Sequence, residues 1–267
     1  MAIQAVRIGS LEYLRAEGIC APHAFTTRFG GVSTGHLSSL NLGLSRGDDP
    51  KNVEENFRIL GEALGYDPMK LVLTRQVHSD IVRKVGKADW GVYMVPGASP
   101  ECDALITNDP GTALVVFTAD CTPLLFHDPL TGAVGAAHAG WKGTASAIGP
   151  KTVEAMVREF GCDVKNIRAA IGPNIGFCHF ETDADVPNAM LEAFGEGVKP
   201  FIRPKGEKFF LDLKQINAFA LRQVGVEHIE ISEDCTMCSP DRFWSHRVTR
   251  GQRGAQGAVI LCQEVRK

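Results

Sequence analysis

Ala113-Leu-Val-Val-Phe-Thr-Ala-Asp-Cys-Thr-Pro-Leu-Leu-Phe126 is two short apolar runs joined by a polar turn that carries a carboxylate and a thiol. Apolar runs this short, bounded by turn residues, read as strands buried on both faces rather than as helices. The next run, 133–137, has the same character and leads directly into Ala137-His-Ala-Gly-Trp-Lys-Gly-Thr144. Working outward, 72–77 and 81–85 are strand candidates on one side, and 167–171, 227–231 and 258–262 on the other. Helical spacing lies between them. Asp49-Pro50 is a plausible helix start, with Val53, Phe57, Leu60 and Leu64 along one face. Val153, Met156, Val157 and Phe160 mark a second helix, which Pro150 either opens in its first turn or kinks. A third helix is expected over 211–224. The order is mixed rather than a regular βαβα alternation, so the expected class is α+β with helices covering mixed sheets. No internal repeat or linker divides the chain, and a single domain over 1–267 is expected.

The 267 residues are 44% hydrophobic and 22% charged, an ordinary globular composition. The net charge of −3, from 28 basic and 31 acidic residues without a long run of either sign, argues against a nucleic-acid binder, which carries a basic footprint. It also offers no polybasic patch for a membrane surface. No apolar stretch approaches the roughly 18 residues needed to span a bilayer. The opening Met1-Ala-Ile-Gln-Ala-Val-Arg-Ile-Gly-Ser10 lacks the basic and apolar regions of a secretion signal, so a cytoplasmic location is expected. The eight cysteines (20, 102, 121, 162, 178, 235, 238 and 262) are then expected as thiols, most of them small buried apolar residues.

Three segments place reactive side chains beside turn residues: Thr74-Arg-Gln-Val-His-Ser-Asp80, Thr118-Ala-Asp-Cys-Thr-Pro123 and Ala136-Ala-His-Ala-Gly-Trp-Lys-Gly-Thr144. His78, Cys121 and His138 together make a donor set for zinc or copper, because imidazole and thiolate suit both ions. Three protein ligands leave a fourth tetrahedral position open, as catalytic zinc requires. The residues alone leave two other readings standing. Cys121 can be a buried thiol with both histidines satisfied by backbone groups, or a nucleophile with His138 as its base.

These segments resemble the laccase-domain family, also called the polyphenol-oxidase or peptidoglycan-editing-factor family. The matching pieces run in order along almost the whole chain. They begin with Thr26-Thr-Arg-Phe-Gly-Gly-Val-Ser33, Ser39-Leu-Asn-Leu-Gly43 and Gly47-Asp-Asp-Pro50, the last followed by Val53 and Glu55-Asn56. They continue through Arg75-Gln-Val-His78, Asp103-Ala-Leu-Ile-Thr107, Ala119-Asp-Cys-Thr-Pro-Leu-Leu125 and Ala137–Thr144. They end with Ile171-Gly-Pro-Asn-Ile-Gly-Phe-Cys178, Asp212-Leu and Cys235-Thr-Met-Cys238. The resemblance implies an α/β/β/α layered sandwich and a metal held by His78, Cys121 and His138, with zinc expected and copper as the alternative. It implies a purine nucleoside phosphorylase that splits adenosine, inosine, guanosine and methylthioadenosine with phosphate, with adenosine deaminase activity in the same pocket. Purine nucleosides and phosphate are then the partners, nucleic acid and membrane are not, and the assembly is a monomer or homodimer. Where relatives carry an Arg-Arg-Asp-Gly run, this chain has Phe243-Trp-Ser-His-Arg247 and then Val248-Thr-Arg-Gly-Gln-Arg-Gly254. Arg247 matches; the second arginine's place passes to Arg250, to Arg253 or to neither.

Phosphorolysis needs cations for phosphate, and arginine's planar fork pairs two of its oxygens. Arg28, Arg46, Arg75 and Arg247 are the candidates, each against the alternative of a solvated or salt-bridged surface arginine; Lys142 is a weaker one. Asn41 either hydrogen-bonds the nucleoside or stabilises a turn. Asp120 is a catalytic candidate because it precedes a ligand. In an extended segment it points away from Cys121, unless it holds one of the histidines in place. A multicopper oxidase needs many imidazoles, and the eight histidines here form no His-X-His pair. Copper at the His₂Cys site could still oxidise phenols slowly, which keeps a copper-dependent polyphenol oxidase as an alternative. His228-Ile-Glu230 with Cys235-Thr-Met-Cys238 imitates the zinc nucleobase deaminase signature, but Asp234 stands where that signature has proline. His228 is expected to end a surface strand, and Cys235 and Cys238 to be a structural pair without a redox or metal role. Two rival functions come from other classes: a Cys121–His138 hydrolase or amidase acting on cell-wall precursors, and a non-catalytic partner of a cell-wall enzyme.

Overall fold

The computed structural model describes residues 3–92 and 99–265. The chain opens with β1 (Ile3–Ile8), β2 (Leu11–Ala16) and β3 (His23–Thr26), followed by α1 (Pro50–Leu64), β4 (Leu71–Leu73) and β5 (Val82–Lys84). Next come β6 (Ala104–Thr107), β7 (Ala113–Thr118), β8 (Thr122–His127) and β9 (Val134–Ala139), then α2 (Trp141–Ala145) and α3 (Ile148–Phe160). They are followed by β10 (Arg168–Ile171), β11 (Glu181–Thr182), α4 (Asp185–Phe194), β12 (Ile202–Lys205) and β13 (Lys208–Leu211). The last elements are α5 (Leu213–Gln223), β14 (His228–Ile231), α6 (His246–Thr249) and β15 (Gln256–Leu261).

Two six-stranded sheets, ordered β1-β2-β3-β15-β7-β4 and β14-β10-β8-β9-β6-β5, carry the fold, and a small sheet β11-β13-β12 sits beside them. Both large sheets are mixed: β7 runs antiparallel to β15 and parallel to β4, while β10 runs antiparallel to β8 and parallel to β14. Side chains on a strand alternate between faces, and β7 uses both. Leu114 and Val116 join Phe25 and Ile260 against Leu105, Leu125 and Ala136 of the second sheet. Ala113 and Val115 pack outward with Val53, Phe57 and Leu60 of α1. On the far side, Leu124 and Phe126 of β8 meet Val153 and Met156 of α3 and Leu221 of α5. The layers are therefore α1, first sheet, second sheet, and α3 with α5. Strands buried on both faces read as unbroken apolar runs, which is why 113–117 and 124–126 look alike. Cutting the fully buried Phe126 to alanine in such a core costs about 3–5 kcal/mol.

The helix starts follow the local chemistry. The Asp49 side chain accepts from the Lys51 amide with Pro50 at the first helical position, and Pro150 lies in the first turn of α3 instead of kinking it. The strand expected over 72–77 ends at Leu73, because Arg75 leaves β4 to bridge Glu101. The helix expected over 211–224 begins at Leu213, since residues up to Leu211 pair in β13 and Asp212 caps the helix through the Gln215 amide. His228 opens β14 rather than ending a strand. The run 113–126 does not form a hairpin within one sheet. Residues 119–121 carry the chain from the first sheet to the second, and this crossing positions the site.

Candidate metal centre and cleft

Cys121 sits where the chain crosses between sheets, just before β8. His138 lies near the end of β9, in register with Pro123 of β8. His78 comes from the loop after β4, at a positive φ of 58°. Donor atoms of the three lie within 4.8 Å of one another, and the two imidazoles meet edge to face at 5.0 Å between ring centres. Gly140 makes the approach possible. A Cβ there would stand 2.9 Å from Cδ2 of His78 and 3.3 Å from Sγ of Cys121.

Asp103, just ahead of β6, orders this floor. Its carboxylate accepts from Nδ1 of His138 at 2.8 Å, from the Ser79 amide and hydroxyl at 2.7 Å each, and from the Val77 and His78 amides. With Nδ1 so engaged, Nε2 of His138 is the nitrogen left for a metal, the arrangement in which a carboxylate orients a ligand imidazole. Burial alone would push the Asp103 carboxyl up, but His138 and Ser79 hold it down at about 2. Burial likewise opposes charge on both Cys121 and His138. Their mutual attraction wins: it lowers the thiol, with help from His78, and raises the imidazole, with help from Asp103. The thiolate that results is the form that binds metals.

The cluster floors a cleft of about 620 Å³ whose wall includes Arg46, Arg75, Arg253, Gln76 and Phe117. That volume falls within the range of about 300–1,000 Å³ usual for small-molecule sites. Gln76 clamps the wall by accepting from the Phe117 amide and donating to its carbonyl, both at 2.7 Å. Among the described residues neither Arg46 nor Arg253 makes an ion pair, whereas Arg75 pairs with Glu101 at 2.6 Å. Arg253 is the more buried; burial and the like charge of Arg46 lower it to about 10, and its Nε has no hydrogen-bond partner. Two guanidinium groups lining one cleft beside the His78–Cys121–His138 cluster make a site suited to an anion.

The other sequence candidates lie elsewhere. Arg28 donates to the carbonyls of Ser38 and Pro240 and stacks on Trp244 at 3.9 Å, away from the cleft lining. Asn41 is fully buried and takes the turn-stabilising role: its carbonyl accepts from the Gly43 and Ala255 amides, and its amide donates to Asp48. Arg247 reaches the Glu181 carbonyl with its side chain, and exposed Lys142 stacks over Trp141. Asp120, at φ 90°, is neither extended nor the partner of a histidine. Its carboxylate accepts from the Thr236 hydroxyl at 2.6 Å and the Arg247 amide at 2.7 Å. Asp103 takes the role considered for Asp120, and Arg253 rather than exposed Arg250 is the tail arginine in the cleft.

Layering and site together define an α/β/β/α protein with an open His₂Cys donor set beneath a cationic cleft. The chain belongs to the laccase-like family described as multi-copper polyphenol oxidoreductase laccase, whose profile matches residues 22–263. It is 41% identical over 253 residues to a purine nucleoside phosphorylase of Deinococcus radiodurans, covering 94% of this chain and 92% of that one. It is 38% identical to the Escherichia coli purine nucleoside phosphorylase YfiH, over 88% of this chain and 91% of the relative. The crystal structure of YlmD from Geobacillus stearothermophilus superposes with a TM-score of 0.91 at 35% identity, covering 97% of this chain and 99% of the other. Among the described residues no helix is long and apolar enough to cross a membrane.

Proposed function

We propose that this protein is a zinc-dependent purine nucleoside phosphorylase that cleaves adenosine, inosine, guanosine and S-methyl-5'-thioadenosine with phosphate. The same pocket also deaminates adenosine. The observation that carries the reading is the pairing of Arg46 and Arg253 beside His78, Cys121 and His138 in one nucleoside-sized cleft. The names of the relatives in Deinococcus and Escherichia support it. The three donors fit zinc: a thiolate and two imidazoles, one of them oriented by Asp103. Bound there, zinc supplies Lewis acidity at the cleft floor.

The chain's own residues do the rest. Arg253 and Arg46, with Arg75 at the wall, hold the phosphate dianion and keep its oxygens oriented toward the ribose. An oxygen of hydrogen phosphate bonds to the anomeric carbon and the glycosidic carbon–nitrogen bond breaks. The purine leaves with the bonding pair and takes up the proton that the phosphate gives up on becoming ribose 1-phosphate. Phe117 gives the cleft an aromatic surface for the purine.

One observation favours a second reading. The Cys121 thiol is lowered and His138 raised as in a thiolate–imidazolium nucleophile, the pairing of a Cys-His hydrolase. Two imidazoles converging on one thiol speak for a metal instead, since a nucleophile needs a single base. An oxidase built on several coppers finds less support: the two donor clusters among the described residues use three of the eight histidines. The test is adenine release from adenosine, with and without phosphate, before and after chelation, with ammonia followed in parallel. Release that needs phosphate, stops on chelation and returns with zinc supports the phosphorylase. Metal-independent cleavage of a cell-wall precursor, abolished by thiol alkylation, replaces it with the hydrolase.

A further inference from the structure

Away from the cleft, the loops after β10 and β14 bring four soft donors together: Cys178, His179, Cys235 and Cys238. They lie at the edge of the molecule, where Cys178 and Cys238 are exposed and Cys235 is buried. Nδ1 of His179 stands 3.1 Å from Sγ of Cys178, 3.6 Å from Sγ of Cys235 and 3.4 Å from Sγ of Cys238. The sulfurs of Cys178 and Cys238 are 3.6 Å apart, and all four donor atoms lie within 4.8 Å of one another. Zinc–sulfur bonds of about 2.3 Å and zinc–nitrogen bonds of about 2.0–2.1 Å give tetrahedral edges of roughly 3.5–3.8 Å. The observed spacings match or fall slightly inside those edges. The two turns are built for it. The Gly176 amide donates to Sγ of Cys235 at 3.1 Å, and the amides of Cys238 and Ser239 close the Cys-Thr-Met-Cys turn onto the Cys235 carbonyl. A Cβ on Gly176 would press on Cys235 at 3.1 Å, so glycine lets the turns approach.

We infer that Cys178, His179, Cys235 and Cys238 form a second, closed metal site that takes one structural zinc ion. This replaces the expectation of a cysteine pair without a metal role. Four protein ligands leave no position for substrate, the mark of a structural zinc. The site has a mechanical task. Thr236, inside the Cys-Thr-Met-Cys turn, donates to Asp120 and to the Asn174 carbonyl, and the Ile175 amide donates to the Asp120 carbonyl. Both turns thus grip the residue before Cys121, and a metal joining them clamps the crossing between the sheets. The inference is independent of the nucleoside reading, because its measurement is metal content and not catalysis.

The test is elemental analysis of the purified full chain, alone and as Cys121→Ala and Cys238→Ser variants. Two zinc ions per wild-type chain, falling to one in each variant, are expected. Refilling Cys121→Ala with Co²⁺ then gives tetrahedral d–d bands and a thiolate-to-cobalt charge-transfer band of three-thiolate intensity. If that variant does not fold, Co²⁺ titration of the wild-type protein serves, with saturation at two equivalents expected. One zinc per wild-type chain and none in Cys121→Ala overturns the inference. So does unreduced protein two thiols short, with Cys178 and Cys238 joined in a disulfide.

Discussion

At the cleft, three donors arrive on three separate segments, their positions set by a sheet crossing, a strand end and a loop at positive φ. At the outer corner, four donors arrive on two tight turns whose own amides organise the sulfurs. The first cluster has an external carboxylate, Asp103, to orient it, and it opens into about 620 Å³ of cleft beside two guanidiniums. The second fills its own coordination sphere, and none of its four residues lines that cleft. The same chemistry of thiolate and imidazole thus serves two purposes, and the number of donors and their surroundings decide which. An open position allows exchange with a ligand; a closed one gives only cohesion.

The sharpest way to break the contrast is Cys121→Ala. Phosphorolysis falls below detection and one metal equivalent is lost, while the outer corner keeps its own; unchanged metal content would refute the ligand assignment. Arg253→Ala is next. Losing a charged hydrogen bond to phosphate costs about 1.5–3 kcal/mol, or roughly 10- to 150-fold in the KM for phosphate, with a much smaller change for the nucleoside. Equal changes in both would mean a general packing loss. Asp103→Asn weakens metal binding at the cleft by about 10- to 100-fold and leaves the outer corner loaded, as competition with a chelating dye would read. Arg28→Ala has the smallest functional effect, within about threefold in kcat/KM, because its guanidinium is spent on Trp244 and backbone carbonyls. It lowers stability by about 1–2 kcal/mol in a denaturant titration.

Strands β7, β8, β9 and β15 were legible because burial on both faces leaves them apolar nearly throughout, and α1 and α3 because their apolar spacing and proline starts agree. Strands β3 and β6, equally buried but only four residues long, were not read. The first hairpin, β1 with β2, was not read: β1 is half-exposed with polar residues interleaved, so its pairing shows only in the register with β2. His78, Cys121 and His138 stood out by residue type beside turns. Asp103 did not, since a carboxylate before a strand has no local signature; its role comes from the pairing of β6 with β9 that places it beneath His138. The Cys-Thr-Met-Cys turn was visible, but its complement at 178–179 was hidden by the long-range bridge between Asn174 and Cys235.

What the sequence by itself determined is therefore chemical and local: the donor types, the apolar runs, the helix caps and the glycines that permit close approach. The tertiary structure alone decided which donors converge, because convergence depends on the crossing at 119–121 and on strand pairings between segments far apart in the chain. It also divided the arginines, sending Arg46, Arg75 and Arg253 to the cleft and Arg28 to a tryptophan face. A guanidinium is identical in every local context; only the packing around it determines whether it meets a ligand or holds a loop.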